Sequence, residues 1–222
     1  MAEQIDFIQI CYSAEHYKTC FPFSVHYHNY GLTPFFENTI ISDLVKESKA
    51  DKIAVCSWSL ARKMTMRLPP RRELTEEVLH EDFDVMSFTK NSPDHDMVGA
   101  LEGWHKGSRE ILGKIFSKLG KPFPKKPKFP IYQNAFCARA GVYKRYVTEF
   151  LDPAMELMAT DEEIRNLCFQ DSGYNETIDR RPVDFSRTKK YLGLPYYPMH
   201  PFILERCFSI WLDDKNLNVV YL

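Results

Sequence analysis

The sequence predicts an α/β layered domain, with residues 1–222 forming one unit. Three observations carry that expectation. Short β-branched or apolar runs alternate with segments long enough for helices, the pattern of a sheet covered by helices. One run, KIAVCSW at 52–58, is apolar nearly throughout, as in a strand buried on both faces. Hydrophobic residues make up 44 % and aromatics 14 % of the 222 residues, enough for a core without staples.

IDFIQICY (5–12) reads as the first strand, followed by a polar and aromatic stretch, CFPFSVHYHNYGL, with no expected element. Thr33-Pro34 opens a helix running to Lys49, because proline at the first helical position gives up no needed N–H. After strand 52–58, the cationic segment ARKMTMRLPPRREL is broken by Pro69-Pro70 and reads as a loop, or a loop leading into a short helix. FDVMSFT (83–89) is a third strand. A helix over 97–119, weakened by four glycines, stops at Gly120. KPFPKKPKFP is an extended connector. A fourth strand at 131–139, a helix at 141–159, a loop over most of 170–197 and a last helix at 201–213 follow, and LNVVYL closes the chain as an edge strand.

The formal net charge of -1 gives no overall attraction to nucleic acid or an anionic membrane. Lys121, Lys125, Lys126 and Lys128 read as a solvated face. No P-loop, dinucleotide or serine-hydrolase motif occurs. The acidic start MAEQIDFIQI is unlike a signal peptide, and no apolar run approaches the ~20 residues of a membrane span. Six scattered cysteines without a C-x-x-C pair read as reduced thiols. The expected location is the cytoplasm, at most peripheral to a membrane.

Four constellations can carry chemistry. HPFILERCFSIWL (200–212) sets Glu205 and Arg206 side by side in an apolar helix. Neighbours on a helix do not face each other, so each charge is expected to need a partner elsewhere or a ligand. Arg62, Lys63, Arg67, Arg71 and Arg72 cluster just after the second strand, where an anion can bind beyond the sheet. Asp82-Phe83-Asp84 is a D-x-D whose carboxylates can share Mg²⁺ or Mn²⁺ and so neutralise a nucleotide diphosphate. His26 and His28 would share one face of a strand and, with Asp94 and His95, allow a metal-dependent hydrolase.

The order of DKIAVCSWSLARKM, DVMSFTK, YQNAFCARAGVYKRYVTEFL and HPFILERCFSIWL resembles a bacterial glycosyltransferase-like family of capsule and surface-polysaccharide loci. The last segment, Pro201 to Leu212, is the most specific of the four. The resemblance implies a pared-down A-type glycosyltransferase fold, a mixed sheet between helices. It implies transfer of a sugar from a nucleotide-diphosphate donor to a glycan or lipid-linked acceptor. Ser57, Trp58, Arg62, Lys63, Arg67, Asn134 and Arg206 would then bind donor, Asp82 and Asp84 a divalent cation, and Glu205 would act as general base. A binding or assembly module of the same fold, without catalysis, is the alternative.

Overall fold

The computed structural model describes residues 3–66, 70–89, 96–176 and 180–222, and shows an α/β domain whose six-stranded mixed sheet lies between helices. Strands β1 (Ile5–Cys11), β2 (Val25–His28), β3 (Lys52–Ser57), β4 (Val85–Ser87), β5 (Phe136–Arg139) and β6 (Val219–Tyr221) take the order β2-β1-β3-β5-β4-β6. Strand β5 alone runs against its neighbours; the pairings β1–β2, β1–β3 and β4–β6 are parallel. The chain's last strand lies at the edge, as its place in the sequence predicted.

The helices are α1 (Asn38–Glu47), α2 (Leu60–Met66), α3 (Glu76–Leu79), α4 (Met97–Trp104), α5 (Ser108–Lys118), α6 (Ala140–Tyr146), α7 (Asp152–Thr160), α8 (Glu162–Cys168), α9 (Ser186–Leu192) and α10 (His200–Trp211). Strand β3 is buried at every residue, and its side chains alternate between two cores. Ile53 and Val55 point to the larger core with α1, α5 and α10, while Ala54 and Cys56 meet α2 and α3 on the other face. The apolar run of the sequence therefore marks a strand covered on both sides.

Several elements differ from expectation, each for a local reason. The helix expected from Thr33 begins only at Asn38, because Phe36 has φ of 54°, a left-handed conformation that breaks a right-handed helix. The short helix allowed for after β3 is present as α2, and it starts at Leu60 without a cationic loop ahead of it. The expected helix over 97–119 divides at Gly107, whose φ of 89° turns the chain, and the Glu102 carboxylate accepts from the N–H of Gly107 and Arg109 at 2.9 and 2.8 Å. From Ala140 to Thr160 the helix is continuous, but a π-helical turn at Val147–Leu151 loosens it just before Pro153, which has no N–H to give. Helix α9 stands inside the expected 170–197 loop.

The amino ends of β3 and β4 are tied together by charge. Lys52, 1 % exposed, reaches the carbonyls of Leu79 and Glu81 at 3.0 and 2.7 Å, the Glu3 carboxylate at 2.8 Å, and the face of Phe83. Arg139 lies beside Asp82 at 2.7 Å and Asp84 at 3.3 Å.

His200, at the start of α10, sits edge-on to the rings of Phe35 and Phe169 and is 1 % exposed. Burial lowers its pKa from 6.5 to about 4, although a bond to the Cys168 backbone opposes the shift. Between those two values the unfolded chain binds the proton and the folded chain does not. The neutral imidazole thus contributes stability that is complete above pH 6.5 and is lost as pH falls towards 4. Replacing it by Gln should flatten this part of the stability profile, measured as urea midpoint against pH; an unchanged slope would contradict the burial argument.

All six cysteines are free thiols. Among the described residues, no helix is long and apolar enough to cross a membrane.

Candidate functional site

The strand order makes a switch between β1 and β3, since the chain leaves β1 for β2 on one side and returns to β3 on the other. In open α/β sheets, ligands occupy the crevice beyond the carboxyl ends of the strands at such a point. A cleft of about 720 Å³ opens there. Tyr12 follows β1, Trp58 and Ser59 follow β3, Thr89 follows β4, and Gln133 and Asn134 precede the antiparallel β5, so all six reach the same end of the sheet.

Helix α10 supplies the opposite wall. Its residues are buried except Phe202, Glu205 and Arg206, and these three line the cleft. Positions i, i+3 and i+4 of a helix share one face, so the apolar remainder packs inward while this stripe looks out. Phe208 turns into the core, where its ring stacks on Phe136 at 3.9 Å. The expectation that Glu205 and Arg206 need separate partners is overturned. Their side chains are long enough to meet over the cleft, with Arg206 Nη1 3.1 Å from Glu205 Oε2. Arg206 also lies over the Tyr132 ring, 5.3 Å from its centroid, and its Nε atom is buried with no hydrogen-bond acceptor among the described residues.

A second carboxylate faces this pair. Glu37 lies just ahead of α1 and accepts from the Tyr12 hydroxyl at 2.7 Å. Burial raises its pKa; Lys63, the Tyr12 hydroxyl and Arg187 pull it down, while the negative charge of Glu205 adds to the rise. Arg187 of α9 stands 4.2 Å over the Tyr12 ring. Two substitutions test this arrangement with opposite signs. Glu205→Gln removes a like charge and should lower the Glu37 pKa, whereas Lys63→Met removes a cation and should raise it. Carboxyl ¹³C titration of the two variants checks both directions.

The backbone under the cleft is strained. Gln133 and Asn134 have φ of 58° and 54°, and the Ala135 N–H returns to the Tyr132 carbonyl at 2.9 Å. Successive positive φ values between the ends of such a bond describe a primed turn, in which glycine or asparagine is the usual occupant and glutamine is not. Phe36, the third described residue of this kind at the cleft, supports Glu37. Backbone strain of this sort costs on the order of 1 kcal/mol per residue and gathers at ligand sites.

The structure brings together Trp58, Arg62, Lys63, Asn134, Glu205 and Arg206 from the sequence candidates. Trp58 stacks on His16 at 3.8 Å and meets the Arg62 guanidinium at 5.5 Å. Ser57 is buried beneath the cleft, its hydroxyl 3.0 Å from that of Ser59, which lines the cleft in its place. Arg67, Asp94 and His95 lie outside the described residues. Arg72 is held by Glu81 through two bonds of 2.7 and 2.9 Å, away from the cleft.

Asp82 and Asp84 are corrected as cleft ligands. They precede β4, whereas Thr89 after β4 reaches the cleft, and a strand rise of 3.3 Å per residue separates Asp84 from Thr89 by roughly 15 Å. Both carboxylates already face Arg139, and Asp84 also accepts from the Asn218 N–H at 2.8 Å. A divalent ion there would be remote from the cleft. His26 and His28 do share one face of β2, where both meet Tyr17. Among the described residues, however, no group of three or more His, Cys, Asp or Glu side chains is placed to hold a metal.

No protein-family model, curated protein or solved structure matches this chain. The cleft is therefore read from its own chemistry. Glu37, Arg187 and Trp104 were not expected from sequence. A single signal pointed to Glu37, its position just after Thr33-Pro34 at the start of an expected helix.

Proposed function

We propose that this protein is a glycosyltransferase, moving a sugar from a nucleotide-diphosphate donor to a glycan or lipid-linked acceptor. The observation that carries the reading is the cleft at the β1/β3 switch, where Arg62, Lys63 and Arg206 stand beside the carboxylates of Glu37 and Glu205. Cations at this position suit a diphosphate, and arginine forks match its oxygens. The mixed sheet between helices accords with the A-type transferase fold that the sequence resembles.

In this reading the Glu205 carboxylate takes the proton of an acceptor hydroxyl. The hydroxyl oxygen bonds to the anomeric carbon, and the bond from that carbon to the diphosphate breaks. Its electron pair leaves with the diphosphate, and Arg62, Lys63 and Arg206 balance the charge that develops there. Arg206 serves both partners, so donor arrival would loosen its bond to Glu205 and release the base.

Calorimetric titration with a panel of uridine, guanosine, adenosine and thymidine diphosphate sugars, with and without Mn²⁺, tests the reading. Binding in the micromolar range, weakened at least tenfold by Lys63→Met, is the expected result. Binding without turnover of any acceptor would favour the binding or assembly module. No binding at all would overturn the transferase.

A further inference from the structure

The cleft has two chemically different halves. Over the carboxyl ends of β1 and β3 it carries the cations and Glu37. Around Phe202, at the amino end of the α10 stripe, it is aromatic, with Phe36, Trp104, His105, Tyr174 and Tyr197. These rings support one another: His105 stacks on Phe202 at 3.9 Å, Tyr174 meets Phe202 at 5.3 Å, and Phe36 stacks on Tyr197 at 5.2 Å. Trp104 is the exception, since it lines the cleft yet is 73 % exposed. It is the last residue of α4, and the next residue is anchored, with the buried His105 donating from Nδ1 to the Ser172 carbonyl at 2.7 Å. An indole held on firm backbone with its ring open to solvent is a platform awaiting a ligand rather than a core side chain out of place.

We propose that this aromatic half is the acceptor subsite and that it takes a hexopyranose, laid with its apolar C–H face on the Trp104 indole. The proposal rests on the transferase reading for the word acceptor, but the sugar platform stands on its own geometry. A pyranose has an apolar face formed by axial C–H bonds and a polar equator of hydroxyls. The face matches an indole, and the equator would meet the phenolic hydroxyls of Tyr174 and Tyr197 on one side and Glu205 on the other. Glu205 lies one helical turn from Phe202, so a ring resting between Trp104 and Phe202 presents a hydroxyl to that carboxylate. A free alkyl chain would match the rings but not the Glu205 and Arg206 charges that border them.

The test is saturation-transfer NMR on the full chain with methyl glucopyranoside, methyl galactopyranoside and methyl mannopyranoside at millimolar concentration, with octanol in parallel. The expected result is transfer to at least one pyranoside, concentrated on the C–H protons of one face. Trp104→Ala should reduce it at least tenfold and Trp104→Phe should keep part of it. Because Trp104 is exposed, the truncation leaves the core intact, and an unchanged thermal midpoint confirms that. No transfer to any pyranoside, equal transfer in the alanine variant, or transfer to octanol alone overturns the proposal. The nucleotide-sugar titration separates the two ideas. Pyranoside binding without nucleotide binding keeps the platform and removes the transferase, and the reverse pattern does the opposite.

Discussion

Glu205→Gln should lower turnover by about 10² or more while leaving nucleotide-sugar affinity within about twofold of the parent. The substitution keeps the shape of the side chain but removes its capacity to accept a proton. It also removes the partner of Arg206 at 3.1 Å, so the guanidinium is freed for the donor and affinity has no reason to fall. The two outcomes discriminate between roles. If Glu205 serves only as the counter-charge of Arg206, the glutamine variant binds donor differently and turns over normally. Glu37→Gln is the informative companion, since its carboxyl is bonded to Tyr12 and faces Lys63 on the cationic side. That change frees Lys63 from a counter-charge, so it should hold or tighten donor binding and change turnover little. The measurement is a split of kcat from KM for both substrates, with a thermal midpoint to confirm that each variant is folded.

The second large effect belongs to the opposite end of the sheet. Lys52→Met should destabilise the fold by about 3 kcal/mol, measured as a lowered urea midpoint with an unchanged slope. The methionine fills similar space, but two carbonyls and the Glu3 carboxylate lose the ammonium that satisfies them. An unpaired buried polar group costs roughly 1–3 kcal/mol, so two carbonyls alone account for most of the loss. Nucleotide-sugar binding by the surviving folded protein should be unaffected, because Lys52 opens β3 and the cleft lies past its far end. A stability change below about 1 kcal/mol would mean that water replaces the ammonium.

The strand at 52–58 and the helix near 200 were legible because burial forces a pattern on them. Strand β3 is covered on both faces and is apolar between Lys52 and Ser57, while α10 shows Glu205 and Arg206 as the charged interruption of an apolar run. Strand β2 was invisible for the converse reason: three of its four residues are exposed, so no apolar alternation marks VHYH. The start of α1 was misplaced because Pro34 is a sound opening signal, whereas the positive φ of Phe36 leaves no trace in residue type. The misplacement of Asp82-Phe83-Asp84 was avoidable. Both residues sit at or before the beginning of the strand expected at 83–89, and ligands gather beyond strand ends, not ahead of strand starts. Trp104 reaches the cleft, and Arg187 reaches the ring of the cleft residue Tyr12, from segments distant in the chain, and no spacing rule connects them to it.

The Ser209 hydroxyl of α10 contacts the Phe129 carbonyl and accepts from the Ile131 N–H, and Asp213 beyond the helix accepts from the Lys128 N–H at 2.6 Å. The helix that carries Glu205 thereby also fastens the proline-rich connector leading into the Gln133–Asn134 turn. Both walls of the charged half answer to one rigid body, so a mutation that shifts α10 displaces base and turn together. Trp104, Tyr174 and Tyr197 stand on separate segments, and Tyr174 meets that body through its ring contact with Phe202. A substitution at the exposed Trp104 therefore leaves base and turn in place, whereas one at Ser209 would move both at once.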